Sequence, residues 1–453
     1  MEAGTQPRPA APAPPTAAMP PRPDLSNFMM SVGFMLTPTR FLDDCRERCG
    51  DYFTLRPAAD RELVITADPA AVKQVFTGDP KLLYAGEGNI TLAPILGSAS
   101  VLLLDGDEHL RQRRLLLPPF HGERMRNYGT LMAEVAERHI ADWPRERRFA
   151  VLPSMQAITL EIIMRAVFGF DDSERRERIG APLRRLLDMV GSRPRVVMMA
   201  LTANRNGPLS PWRQFAAARE RADVLLYEEI RARRSDPHGA DGDDIFSMLL
   251  AARDPDGEPL SESELRDELM TLLVAGHETT ATALAWALEL LGRHPEVLAK
   301  LLDDERSGGG EYLDAVIKET LRLRPVVPAV VRRLQAPVEF GGWQLPAGVH
   351  IAPSIYLMHR RADLYPEPLA FRPERFLGED QPGTYEWIPF GGGVRRCLGA
   401  SFALYEMRIV LREALRAIRL RTDTGRRAEG VTRRAITFAP TRGGRVVVEG
   451  SAP

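Results

Sequence analysis

Residues 387–410 read WIPFGGGVRRCLGASFALYEMRIV. Three consecutive glycines, Gly391, Gly392 and Gly393, predict a loop whose backbone only glycine adopts freely. Cys397 follows, then Gly399, then an Ala- and Leu-containing run that reads as a helix over about 398–418. A thiol there lies at the N-terminal end of a helix, where backbone N–H groups and the helix dipole favour the thiolate. Arg395 and Arg396 add positive charge. A sulfur presented in this way is suited to ligate a metal. The alternatives are a buried structural cysteine and a catalytic nucleophile, and a nucleophile needs a base that the sequence does not show. Neither this glycine run nor the one at 308–310 follows a strand with G-x-G-x-x-G spacing, so dinucleotide binding is not indicated.

Upstream, residues 269–291 read LMTLLVAGHETTATALAWALELL. The run is apolar on all sides except at His277, Glu278, Thr279 and Thr280. A capping box, Ser261 with Glu264, predicts the start of a long helix that ends near Leu291. Glu278 at mid-bilayer would cost several kcal/mol, so the pattern fits a helix buried in a large protein core better than a membrane span. His277-Glu278 matches the start of the H-E-x-x-H zinc motif, but Ala281 stands where the second histidine belongs. Gly276 weakens the helix by about 1 kcal/mol relative to Ala. Thr279 can bond the carbonyl one turn earlier, which bends helices. These residues predict a helix deformed beside a pocket, with an acid and an alcohol side by side. Farther on, Glu319 and Arg322 share a helix face in KETLRLRP, and Arg375 lies in AFRPERFLG.

The chain has 453 residues, 44% hydrophobic and 27% charged, with a formal net charge of −1. This composition excludes wholesale disorder and gives no sign of a nucleic-acid partner. Fifty-six of the 60 basic residues are arginine, a bias that reads as genome composition. Three cysteines exclude a disulfide scaffold, and Cys45 and Cys49 read as reduced thiols. Residues 1–24, with eight prolines in the first 23, read as a flexible tail rather than a signal peptide. Helical periodicity dominates 25–453, with a strand pair at 52–57 and 62–68 and further strands at 336–352 and 434–449. The expected fold is a single large domain, mainly α with a minor β-sheet, in a cytoplasmic protein without a membrane anchor.

A single thiolate serving as a metal ligand fits haem iron, whose thiolate favours O–O cleavage. The pattern Phe390-Gly391-x-Gly393-x-Arg395-x-Cys397-x-Gly399 resembles the haem-binding loop of the cytochrome P-450 family at every position. Ala275-Gly276-His277-Glu278-Thr279 resembles its oxygen-activating segment. Glu319-x-x-Arg322 with Pro373-Glu374-Arg375-Phe376 resembles its buried Glu-Arg-Arg frame. His109-x-x-x-Arg113 resembles the helix that meets the haem propionates. The resemblance covers about 25–453, and phrases such as MHRRADLYPEPLAFRPERF look like a soluble bacterial branch.

The resemblance implies that Cys397 is the axial thiolate of haem b, with Phe390, Gly391 and Gly399 shaping the loop around it. It implies that His109, Arg113, Arg332 and Arg395 bind the propionates. Arg332 is chosen over Arg333 by its ten-residue spacing to Gly342. Ala275 would flank the haem, Glu278 and Thr279 would deliver protons to dioxygen, and Glu319, Arg322 and Arg375 would be structural. The implied reaction is monooxygenation: R–H, O2, two electrons and two protons give R–OH and water. Only about 30 residues follow the haem segment, so the electrons of NAD(P)H are expected to arrive through a separate ferredoxin or flavodoxin and its reductase. Arg396, Arg408, Arg412 and Arg416 are expected to form the docking face. Apolar residues at 84–104 (Tyr84, Ile90, Leu92 and Leu96 among them), 196–201 and 326–331 are expected to line a pocket for a lipophilic substrate such as a fatty acid, terpenoid, steroid or polyketide. The chain is expected to be a monomer. The rival readings are a peroxide-dependent haem-thiolate enzyme and a non-enzymatic haem sensor; the Glu278-Thr279 pair argues against both.

Overall fold

The central helix, Glu262–Arg293, organises the molecule. In this computed structural model, 19–58, 61–120, 124–169, 173–191, 210–421 and 428–451 are described. The helix opens with the expected box: the Ser261 hydroxyl accepts from the Glu264 N–H, and the Glu264 carboxylate accepts from the Ser261 N–H. It is buried along most of its length, because Leu265, Leu269, Leu284, Leu288 and Leu291 face neighbouring helices on different sides. Helices Leu152–Phe168, Pro211–Ser235, Glu311–Leu323 and Ala400–Ala417 pack around it. The expected local deformation at Gly276 is absent: the helix runs unbroken from 262 to 293. Thr279 does bond back as expected, its Oγ1 donating to the Ala275 carbonyl at 2.6 Å, without interrupting the helix.

A five-stranded sheet lies beside this helical body in the order Tyr52–Ala58, Arg61–Thr66, His350–Pro353, Arg332–Leu334, Leu83–Tyr84. The first pair is the expected hairpin, with Phe53 opposite Ile65. Arg61–Thr66 then runs parallel to His350–Pro353, while the other pairings are antiparallel. Its apolar residues, Val64, Ile351 and Leu334 among them, pack on helix Pro69–Thr77. Among the described residues, a three-stranded sheet and two hairpins complete the β structure. Helix Asn27–Leu36 was not foreseen; it is capped by Ser26, whose hydroxyl accepts from the Met29 N–H. Residues 20 and 21, inside the stretch expected as a tail, are bonded to the fold. The Pro20 carbonyl accepts from the Thr54 hydroxyl and the Pro21 carbonyl from the Thr54 N–H, so these residues lie along the first strand.

The Glu-Arg-Arg frame forms as expected. Glu319 and Arg322 are both fully buried and meet through two hydrogen bonds of 2.6 and 2.8 Å. Arg322 also donates to the carbonyls of His359, Pro368 and Ala370. Glu319 accepts from the Arg372 N–H at 2.8 Å and pairs with Arg375 at 3.4 Å. A buried ion pair survives only when its remaining donors and acceptors are met, and here most of them are met by the 359–375 segment. Replacing Glu319 by Leu leaves the Arg322 charge uncompensated, so we predict a loss of about 3–5 kcal/mol in urea unfolding. The exposed Arg306→Ala change should stay within about 0.5 kcal/mol in the same assay.

Candidate active site

The cysteine loop takes the shape its glycines require. Gly391 and Gly393 have φ of 65° and 63°. A Cβ on Gly393 would collide with the Phe76 carbonyl oxygen, and one on Gly392 with the Phe76 ring, so the loop rests directly on the end of helix Pro69–Thr77. The Cys397 N–H donates to the Phe390 carbonyl at 3.0 Å, closing the loop. The Phe390 ring meets Trp387 edge-on at 6.1 Å, and the Trp387 indole N–H donates to the Lys318 carbonyl on the frame helix. At Gly399, a Cβ would meet nothing within 4 Å, so the space beside the helix start is open.

Cys397 is exposed, yet protein atoms crowd around its sulfur. That surrounding pushes the thiol above its ordinary pKa; a hydrogen bond from the Gly399 N–H and the charges of Arg113 and Arg396 oppose the shift without overcoming it. The expectation that the helix terminus alone gives a thiolate is therefore corrected. The residue sits two positions before the N-cap, Gly399, and burial wins. A metal ion would supply the missing stabilisation, since a coordinating thiol is deprotonated outright. Among the described residues, no three of His, Cys, Asp and Glu are grouped to hold a metal. A metal on Cys397 must bring its other donors with it, as haem iron does.

The structure brings the four residues expected at the propionates together. His109 is buried, and burial with the charges of Arg395, Arg113 and Arg332 lowers its pKa to about 3. Burial lowers both Arg332 and Arg395 to about 10, and each also feels the positive charge of a neighbouring arginine. Arg113 is lowered by burial and lies close enough to Cys397 that a thiolate there would oppose the shift. Arg395 has one carboxylate partner, Asp105, at 2.5 Å, and also donates to the Val101 and Leu104 carbonyls. Three desolvated arginines beside a neutral histidine suit an anionic group, and the two carboxylates of haem b fit that need. Arg332 is buried on its strand, whereas Arg333 pairs with Glu87 near the surface, which favours the choice of Arg332.

On the central helix, Val274, Ala275, Glu278 and Thr279 are at least partly exposed between buried stretches, with Ala275 the most open. Their spacing puts them on one face. His277 is buried against Thr159, whose hydroxyl lies 3.0 Å from Nδ1, and burial lowers its pKa to about 4. Glu278 is held from two sides, by Gln156 Nε2 at 2.6 Å and Arg434 at 3.5 Å.

Several expectations need correction. Leu96 is buried in the helical core. Residues 196–201 lie outside the described residues. The expected docking arginines are largely neutralised: Arg408 pairs with Asp314, Arg412 with Glu305 and Arg416 with Glu413, leaving Arg396 exposed at the loop. Two residues were missed. Asp105 accepts from the N–H groups of Ala85, Gly86 and Glu87 as well as from Arg395; its only signal was its place before helix Gly106–Leu116. His359 accepts the Ile388 N–H at 2.9 Å on Nε2 and so ties the Arg322 frame to the cysteine loop.

Comparison with known proteins decides the family. The cytochrome P-450 family model matches residues 20–443. The chain belongs to the cytochrome P-450 family. Among its relatives, the protein designated cytochrome P-450 135B1 of Mycobacterium tuberculosis is 46% identical over 95% of this chain and 91% of its own length. The one designated cytochrome P-450 138 of the same species is 42% identical over 97% and 98%. Among solved structures, the retinoic-acid-bound cyanobacterial CYP120A1 superposes with a TM-score of 0.84 at 24% identity, covering 96% of this chain and all of that one. A cytochrome P-450 designated CYP102L1 gives 0.80 at 25% identity, covering 98% of this chain and all of that one. Membership supports haem-thiolate monooxygenase chemistry in general. No helix among the described residues is long and apolar enough to cross a membrane.

Two predictions follow from the geometry. Gly393→Ala forces a side chain into the Phe76 carbonyl at positive φ, a strain of about 1–3 kcal/mol before the clash; the purified variant should retain less haem per chain, measured by pyridine haemochrome. His277 and His359 stay neutral in the fold, with pKa near 4 and 3, against 6.5 in the unfolded chain. Their contribution is complete above about pH 6.5 and is lost as pH falls, because the unfolded chain then binds protons the fold refuses. Unfolding free energy should therefore decline from pH 7 to pH 5, and more shallowly in a His359→Gln variant.

Proposed function

We propose that the chain inserts one oxygen atom of O2 into a lipophilic small molecule, using electrons from a separate ferredoxin or flavodoxin and its NAD(P)H reductase. The observation that carries this reading is the exposed acid–alcohol window on an otherwise buried helix, together with the cysteine loop and its arginine cluster. Cys397 would hold the haem iron, and His109, Arg113, Arg332 and Arg395 would hold the propionates. Bound haem supplies the activation of dioxygen and the oxidising power.

The protein's own part is to position and to move protons. The Thr279 proton is committed to the Ala275 carbonyl. Its hydroxyl oxygen therefore acts as an acceptor toward the open side, where it can hold a water or another donor in place. Glu278 is partly exposed beside it and anchored by Gln156 and Arg434, a place from which a carboxyl exchanges protons between solvent and the window. Ala275, the most open residue of the window, keeps the haem face free of bulk. Val326, Val327 and Val330 follow the frame helix, and Val330 lies against Gly391 of the cysteine loop, so this apolar stretch would confine a lipophilic substrate near the haem. The electron carrier would meet the exposed Val394–Arg396 turn.

Thr279→Ala tests the proton role. The variant should bind haem and substrate as the parent does, while product formed per reductant consumed falls several-fold and hydrogen peroxide rises. Unchanged coupling would remove Thr279 from the mechanism. A panel of fatty acids, terpenoids, steroids and polyketides, screened for displacement of iron-bound water, tests the substrate class; binding confined to small polar compounds would contradict it.

A further inference from the structure

Residues 96–105 form a strap held from two sides. On one side stand four residues in the first three turns of the central helix. Arg266 donates to the Leu96 carbonyl at 2.8 Å, and Asp267 accepts the Ala99 N–H at 2.8 Å. Glu268 Oε1 accepts the Val101 N–H at 2.7 Å, and Thr271 donates to the Ser100 hydroxyl at 2.7 Å. On the other side stands Arg395, which donates to the carbonyls of Val101, at 3.1 Å, and Leu104, and to Asp105 at 2.5 Å. Val101 is shared: its N–H rests on Glu268 and its carbonyl on Arg395.

Glu268 is fully buried, and its second oxygen, Oε2, has no hydrogen-bond partner among the described residues. Burial, with Asp267 and Glu264 nearby, raises its pKa well above the usual carboxyl value. Burying a carboxyl with one oxygen unmet is unfavourable. An apolar side chain would avoid that penalty but would leave the Val101 N–H without an acceptor. The strap's path is fixed at its start as well: Gly97, at φ 89°, lies against the Asp267 carboxylate where no Cβ fits.

We propose that Glu268 is a positioning residue for Arg395: through Val101 and the 96–105 strap, the central helix sets the guanidinium that meets a haem carboxylate. The inference rests on reading Arg395 as haem-binding. It makes haem retention depend on a side chain two turns along the helix from Ala275, with no contact to the cofactor itself.

The test is a double-mutant cycle on the purified holoprotein, read as the rate of haem transfer to apomyoglobin, with the unfolding midpoint recorded alongside. Glu268→Gln keeps an acceptor for Val101 and should release haem within about twofold of the parent rate. Glu268→Leu should release it about tenfold faster, the scale of losing an outer partner of a cofactor ligand. In an Arg395→Leu background, the Glu268→Leu change should add less than about twofold. Glu268→Met, made in parallel, serves if the leucine variant does not fold. Equal acceleration in both backgrounds, or none in either, overturns the proposal, whatever happens to the midpoint. If Arg395→Leu itself leaves haem release unchanged, the haem-binding reading of Arg395 fails, and the proposal with it.

Discussion

Glu319 and Arg322 form an ion pair from which water is wholly excluded, and the cysteine loop depends on it. Two charges in that position are stable only with every lone pair and N–H directed. Arg322 satisfies this by gathering the carbonyls of His359, Pro368 and Ala370, which lie far along the chain. It thereby pins the irregular segment that leads toward the loop. His359 carries the constraint further, because its Nε2 accepts the Ile388 N–H just before Phe390 and the glycines. The histidine must stay neutral to accept that bond, and its complete burial beside Arg322 keeps it so. A polar frame outside the chemistry thus fixes the backbone that presents Cys397.

The site itself is poorly balanced as a protein surface. The Cys397 thiol is held above its ordinary pKa, three arginines are desolvated, and among the described residues Asp105 is the one carboxylate bonded to Arg395. Each of these is a local penalty that a dianionic, metal-bearing group would relieve: the metal by deprotonating the sulfur, the carboxylates by answering the arginines. On the central helix, a face of small and polar residues interrupts an otherwise apolar surface. Uptake of the group and consolidation of the fold are expected to be coupled in free energy.

The helices and the principal motifs were legible because they depend on local chemistry. Pro69–Thr77 and Pro38–Cys49 fall where proline and apolar spacing put them, and the Ser261–Glu264 box forms as written. Asn27–Leu36 was not legible: it has no charged residue and little amphipathic contrast, and it follows a proline-rich stretch. The basic stripe at Arg408 and Arg412 misled for another reason. Its partners, Asp314 and Glu305, are about a hundred residues away, and no spacing rule reports them. Leu96 is buried in the core, and apolar character alone does not tell a lining from a core. The roles of Asp105, His359 and Glu268 lie in single bonds to distant backbone groups, visible only once the chain has folded.

The central claim is that Cys397 holds a haem iron as its thiolate ligand. The carbon-monoxide complex of the reduced protein tests it most directly. A Soret band at the red-shifted position of thiolate-ligated haem, lost in Cys397→Ser, is the predicted result. A band where histidine-ligated haem absorbs, unchanged in Cys397→Ser, would contradict the account.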